Sequence, residues 1–304
     1  MAFTAFSGPA TASAEPIARR RSPIALFLLL PGIFYLILFF VTPLISLVIT
    51  SLQAPDPLIF GQYVNAFNWQ NYVTVLETYW QQALRSAGYA ALATLFALLI
   101  GFPLAYFIGI TLRPFPLLQS LALVLVIAPF FISFLLRTLA WKQIFSVEGP
   151  VAGILSSLGA LPPGVSITGT TFSVVFGLTY NFIPFMVLPI YATLVSLDLR
   201  LLEASNDLYG SPATTFRTVT LPLSAAGVMS GTLLTFIPAA GDYINASREF
   251  LGSTDTTMIG NVIEANFLVL QNFPAAAALS LILMAFILVL VSAYVKRSGT
   301  EDLL

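Results

Sequence analysis

Six stretches of this sequence contain no Asp, Glu, Lys or Arg: 22–55, 86–112, 114–136, 149–197, 218–241 and 265–295. No other feature restricts the fold as strongly. A helix of roughly 20 apolar residues crosses about 30 Å of hydrocarbon, and each run is long enough to do so. Lipid offers no water to the backbone, so only helices and closed barrels can span it. The runs are continuous rather than alternating, which selects helices. Only 8% of the 304 residues are charged and 58% are hydrophobic, so lipid must cover most of the surface. The expected fold class is an all-α polytopic membrane protein.

Several functions are excluded at once. A net charge of −1 does not fit a polybasic nucleic-acid binder. The chain has no cysteine and no histidine, which removes disulfides, thiolate metal sites and the usual proton-relay side chain. "IARRRSP" before the first apolar run has the charge of a signal-peptide n-region. The run is too long for an h-region, however, and no small-x-small cleavage pattern closes it, so an uncleaved first helix is expected.

The runs predict six helices near 24–51, 83–111, 117–145, 171–197, 224–246 and 274–295, together a transmembrane domain over 23–298. Residues 1–22 form an N-terminal tail and 299–304 a C-terminal one. "GALPPGVSITGTT" breaks the run at 149–197, so its first part reads as an external loop with a short interfacial helix. With the N-terminus inside, Arg19, Arg20, Arg21, Arg113, Arg200, Arg217, Lys296 and Arg297 fall on the cytoplasmic side. Only Arg85, Arg137, Lys142 and Arg248 fall outside. This excess follows the positive-inside rule and places both termini in the cytoplasm.

One cytoplasmic connection, 198–223, gathers charge: Asp198, Arg200, Glu203, Asp207 and Arg217. The sequence "LLEASNDLYGSPATTFRTVTLP" reads as two short helices meeting at a corner. Glu203 to Leu208 has helical composition, and Gly210 suits the left-handed position that ends a helix. Ser211 can cap the next helix, with Pro212 in its first turn. That helix would run to about Val219 and stop at Leu221-Pro222, since a residue before proline is pushed out of helical geometry. The chemistry fits either an ordinary structured loop or an element that docks a partner.

The segment resembles the EAA loop of permease subunits in binding-protein-dependent ABC importers. Glu203, Ala204 and Ser205 stand at Glu-Ala-Ala, Val219 at the isoleucine of Ile-x-Leu-Pro, and Leu221-Pro222 at its end. Tyr209 occupies the position of the family's glycine, and Gly210 follows it. The blocks "LPGIFYLILFFVTPLISLVITSL", "IAPFFISFLLRTLAW", "IPFMVLPIYATLVSLD", "IPAAGDYINASREFLG" and "MIGNVIEANFL" extend the likeness to spermidine/putrescine-type permeases, the first of the usual two. Permeases for iron, phosphonates, thiamine and opines share similar blocks. The resemblance implies a type I importer permease with six transmembrane helices in the cytoplasmic (inner) membrane of a prokaryote. It also implies a second permease subunit, two ATPase subunits and an extracytoplasmic binding protein. In the family the loop is the coupling helix that sits in a cleft of the ATPase, here Glu203, Ala204, Ser205, Asp207, Tyr209, Gly210, Ser211, Pro212, Val219, Leu221 and Pro222. No G-x-x-x-x-G-K-[ST] occurs, so this chain is expected to bind no cofactor, with ATP and Mg on the ATPase partners and no catalysis of its own.

Candidate pathway residues are polar or aromatic groups set in apolar surroundings. Asp242, expected near the outer end of the fifth helix, could attract a cationic substrate, or could sit at the headgroups or pair with Arg248. Arg137 and Trp141 mark the outer end of the third helix, where they could anchor at the interface or meet a partner. Tyr180, Asn181 and Tyr243 could face a pore or pack between helices. A stand-alone secondary transporter is the competing class. It would need intramembrane acids or histidines for ion coupling, and the sequence offers almost none.

Overall fold

The computed structural model describes residues 23–59 and 61–297. The tails expected at 1–22 and 299–304 lie outside the described residues. The chain divides into two units, Met1–Ser46 and Leu47–Leu304. In the first, α1 (Pro23–Leu36) continues through a π turn at Ile37–Val41 into α2 (Thr42–Ser51), which runs on into the second unit. The π turn precedes Pro43, whose nitrogen cannot join the helical ladder, and Thr42 Oγ1 donates to the Ile37 carbonyl at 3.0 Å. From Phe27 to Val41 this helix is exposed on every side, as an apolar helix is when lipid is its solvent.

The second unit begins with a two-stranded antiparallel ribbon, β1 (Ala54–Pro55) against β2 (Tyr63–Val64). Then come α3 (Gln70–Tyr106, extended by a π turn at Phe107–Thr111), α4 (Pro116–Ile127), α5 (Phe134–Phe145), α6 (Pro150–Ser157) and α7 (Thr171–Ser196). The remainder comprises α8 (Arg200–Asp207), α9 (Pro212–Thr215), α10 (Leu221–Leu223), α11 (Ala225–Ala240), α12 (Ile259–Glu264) and α13 (Phe273–Arg297). Phe27–Ser51, Gln70–Thr111, Thr171–Ser196 and Phe273–Lys296 are each long and apolar enough to cross a membrane. Two bent pairs, Pro116–Phe131 with Phe134–Ser157 and Pro212–Leu223 with Ala225–Ala240, bring the number to six if each pair is one span.

Three expected helices differ from the observed ones. The helix predicted over 83–111 begins at Gln70, because the polar turns of "QNYVTVLETYWQQ" are themselves helical. The full α3 is about 55 Å long at 1.5 Å per residue, well beyond the hydrocarbon thickness. The span predicted over 117–145 is broken: Ile132 and Ser133 are extended after the turn that holds Pro129, and the two arms bend by 94°. The helix predicted over 224–246 stops at Ala240, leaving Asp242 and Tyr243 in a loop.

The core lies where α3, α7 and α11 meet. Ala90, Ala93, Ala97 and Ala105 of α3 are fully buried, against Val174, Leu178, Met186 and Ile190 of α7 and Phe236 and Ala239 of α11. Lipid supplies little hydrophobic drive between helices, so close packing of small residues must hold them. On α11 the spacing Gly227-x-x-x-Gly231 serves this end. A β-carbon on Gly231 would lie 3.0 Å from the Met186 carbonyl oxygen, and one on Gly227 2.8 Å from that of Pro189. Thr170 and Ser173 start α7 with a reciprocal capping box, each accepting the other's N–H at 3.2 Å.

Candidate functional site

Two connections carry the candidate residues. In the first, Asp198 Oδ1 accepts the N–H of Arg200 at 3.0 Å, opening α8. The helix closes with the N–H of Gly210 donating to the Ser205 carbonyl at 2.9 Å, the wide bond of a Schellman motif. The residue in the left-handed conformation is Tyr209, with φ 61°, and Gly210 is not left-handed. The expectation that Gly210 takes this angle is therefore corrected. Gly210 is needed for room instead, since a β-carbon there would lie 2.7 Å from the Ser205 carbonyl oxygen. A left-handed non-glycine residue costs about 1–2 kcal/mol, so the corner holds Tyr209 under strain.

Beyond the corner the second arm starts as expected. Ser211 Oγ accepts the N–H of Thr214 at 3.2 Å, and Pro212 takes the first helical position. A hydrogen bond of 2.8 Å between Ser205 Oγ and Thr215 Oγ1 ties the two arms together. Leu221-Pro222 does not end the helix, contrary to expectation. The chain forms a π turn at Phe216–Thr220, in which the N–H of Leu221 donates to the Phe216 carbonyl. That longer register leaves room for the proline nitrogen, and helix continues to Leu223. The break falls at Ser224, where the direction changes by 65°. Phe216 stacks edge-on against Phe102 at 5.4 Å and Tyr106 at 6.2 Å, so the second arm is fastened to the end of α3. Glu203, Ala204, Asp207, Tyr209, Ser211, Pro212, Leu221 and Pro222 are exposed, while Ser205, Gly210 and Val219 are half-buried.

The second connection, 241–258, buries Asp242 and Asn245 and leaves Arg248, Glu249 and Asp255 exposed. Asp242 is 6% exposed. Its Oδ2 accepts the backbone N–H of Asn245 at 2.7 Å and its Oδ1 accepts Asn245 Nδ2 at 3.1 Å. Asn245 Oδ1 in turn accepts Asn181 Nδ2 of α7 at 3.1 Å, and that same nitrogen donates to Thr138 Oγ1 of α5 at 3.1 Å. Three segments thus meet on Asn245, which is fully buried. Arg248 donates to Thr254 Oγ1 and not to Asp242. Ser173 Oγ and the N–H of Gly169 both donate to the Leu251 carbonyl at 2.8 Å, and Lys142 Nζ donates to that of Glu249 at 2.7 Å. On the same side, burial and, after it, the charge of Glu249 hold the Glu264 carboxyl above its usual range.

Arg137, 8% exposed, lies over the Phe134 ring at 5.7 Å. Trp141 packs edge-on against Phe176 at 4.6 Å and Tyr180 at 5.2 Å, forming an aromatic layer between α5 and α7. The structure therefore groups Arg137, Trp141, Tyr180, Asn181 and Asp242 around one end of the α5–α7 contact, whereas Tyr243 is exposed. Thr138 and Asn245 were not singled out in the sequence. The Asp242–Asn245 spacing, suited to a side chain capping its own loop, was the available signal.

Solved chains share this fold. A chain from the crystal structure of a bacterial ABC transporter involved in the import of the acidic polysaccharide alginate matches with a TM-score of 0.65. It is 17% identical, with 93% of this chain and 97% of that one covered. The inward-facing MetNI methionine ABC transporter matches with a TM-score of 0.51 over 72% of this chain and 91% of its own, at 17% identity. The fold is that of an ABC importer permease. No family model matches the chain. The spermidine/putrescine transport system permease protein PotB of Escherichia coli is 34% identical over 250 residues, 82% of this chain and 88% of the relative. PotB of Haemophilus influenzae is 33% identical over 242 residues, 80% of each. The inner membrane ABC transporter permease protein YdcU of Escherichia coli is 31% identical over 234 residues, 73% of this chain and 72% of the relative. The chain belongs to the PotB family of spermidine/putrescine transport system permeases.

Proposed function

We propose that this chain is one of two permease subunits in an ATP-driven importer and forms half of the path for a polyamine delivered by a binding protein. The observation that carries this reading is the 34% identity to spermidine/putrescine permeases over 82% of the chain. It is supported by the exposed helical corner at Arg200–Thr215, a shape suited to a cleft in a partner. The partners are a second permease, two ATPase subunits and an extracytoplasmic binding protein, and the membrane is the inner membrane of a prokaryote. Both termini and the 198–223 connection face the cytoplasm. ATP and Mg sit on the ATPase subunits, and this chain supplies no hydrolytic group.

In this reading nucleotide binding draws the ATPases together and moves the corner. Phe216, wedged on Phe102 and Tyr106, passes that motion to α3, and the 65° bend at Ser224 passes it to α11. Asp242 acts on a cationic substrate through its field from behind Asn245, while Trp141, Tyr180 and Tyr243 offer ring faces to ammonium groups. Arg137 and Asn181 set the shape of that wall. The test is ATP-dependent uptake of labelled spermidine by vesicles carrying the assembled importer. Uptake that putrescine competes for, and that iron chelates, phosphonates, thiamine and opines do not, is expected. Spermidine-insensitive uptake of any of those other solutes would overturn the substrate assignment.

A further inference from the structure

Among the described residues only Tyr209 and Gln271 are non-glycine residues with positive φ. Beside Tyr209 stands Gly210, the residue that would take that angle without strain, yet the chain gives the angle to the tyrosine. Room beside the Ser205 carbonyl fixes glycine at 210, but no contact of the ring explains a tyrosine at 209. Tyr209 is 99% exposed, and Leu208 before it is 82% exposed. Leu201 and Ala204 of α8 are exposed as well, and Leu208, just past its end, continues their helical spacing. The corner is therefore an apolar knob tipped by a phenol ring. Strain held in place by surrounding structure, with the strained side chain fully presented, is characteristic of a contact point.

Resting on the docking reading above, we infer that Tyr209 is the anchor of the corner, and that the ATPase subunit holds an apolar slot that receives its ring together with Leu208. A tyrosine is rigid and amphipathic, which suits it to a desolvated pocket at the centre of an interface. The membrane surface is the other apolar phase within reach. Glu203 and Asp207 outnumber Arg200 on the same helix and disfavour it, because an anionic cytoplasmic leaflet repels carboxylates. A protein slot accepts the ring without placing those two groups against phosphate.

The test uses the full chain co-expressed with its second permease and ATPase subunits. Tyr209→Gly removes the ring and the backbone strain together, so the corner still folds. ATPase binding to the permease pair is expected to weaken about tenfold, and Tyr209→Phe to stay within about twofold of the parent. Because the chain has no cysteine, Tyr209→Cys can carry a single environment-sensitive dye. The dye should be water-exposed in vesicles of the permease pair and become shielded when the ATPase subunit is added. Shielding by vesicles alone would overturn the inference in favour of lipid contact. Normal ATPase binding by Tyr209→Gly alongside an uncoupled Glu203→Lys would overturn the anchor while leaving the docking reading intact. Normal behaviour of both variants would overturn the two together.

Discussion

The connections 198–223 and 241–258 both follow apolar helices and both concentrate polar residues, but Glu203 and Asp207 of the first are exposed whereas Asp242 and Asn245 of the second are buried. In the first, Glu203, Asp207 and Tyr209 project outward, and the internal bonds are those needed to hold a corner. In the second, Asp242 is buried and its carboxylate accepts from Asn245, which in turn accepts from Asn181. The difference teaches how to read polar groups in a chain solvated by lipid. An inward-turned carboxylate such as Asp242 holds its own loop and reaches a substrate only through its field. An outward-turned one beside an exposed ring is available to a partner.

If that contrast holds, substitutions in the inner connection should act on folding and those in the outer one on coupling. The largest effect is expected from Gly252→Ala. Its β-carbon would run into the Ala246 carbonyl, a backbone atom that cannot step aside. A loss of about 3 kcal/mol, at the upper end for overpacking, should appear as a sharp fall in folded protein and in thermal unfolding temperature. Asn245→Ala comes next. It strips one side-chain bond from Asp242 and one from Asn181, and should cost about 2 kcal/mol by the same measurement. Ser205→Ala, which removes only the tie to Thr215, should cost about 0.5–1 kcal/mol. Equal effects of Asn245→Ala and Ser205→Ala on stability would erase the contrast.

The sequence carried the first-order fold because charge-free runs report lipid contact directly, and "GSP" marked the corner because those residues act locally. What it hid depends on longer reach. Whether Tyr209 or Gly210 takes the left-handed angle depends on how closely the chain passes the Ser205 carbonyl. Leu221-Pro222 failed as a stop because a π turn upstream changed the hydrogen-bond register. The fate of Asp242 was set by Asn245, which is itself held by Asn181 on another helix. The close packing of α11 was written in Gly227-x-x-x-Gly231, a spacing with a known meaning in membranes that the charge pattern overshadowed.

In the proposed function the 198–223 corner transmits ATPase motion. This is tested most directly by the ATPase rate of the assembled importer in lipid vesicles, with and without substrate-loaded binding protein, for the parent chain and Glu203→Lys. Glu203 is exposed, so its replacement should leave insertion and stability within about 0.5 kcal/mol of the parent. The variant should keep its basal rate and lose at least about ninety per cent of the stimulation, a barrier change of roughly 1.4 kcal/mol or more. Stimulation equal to that of the parent would contradict it.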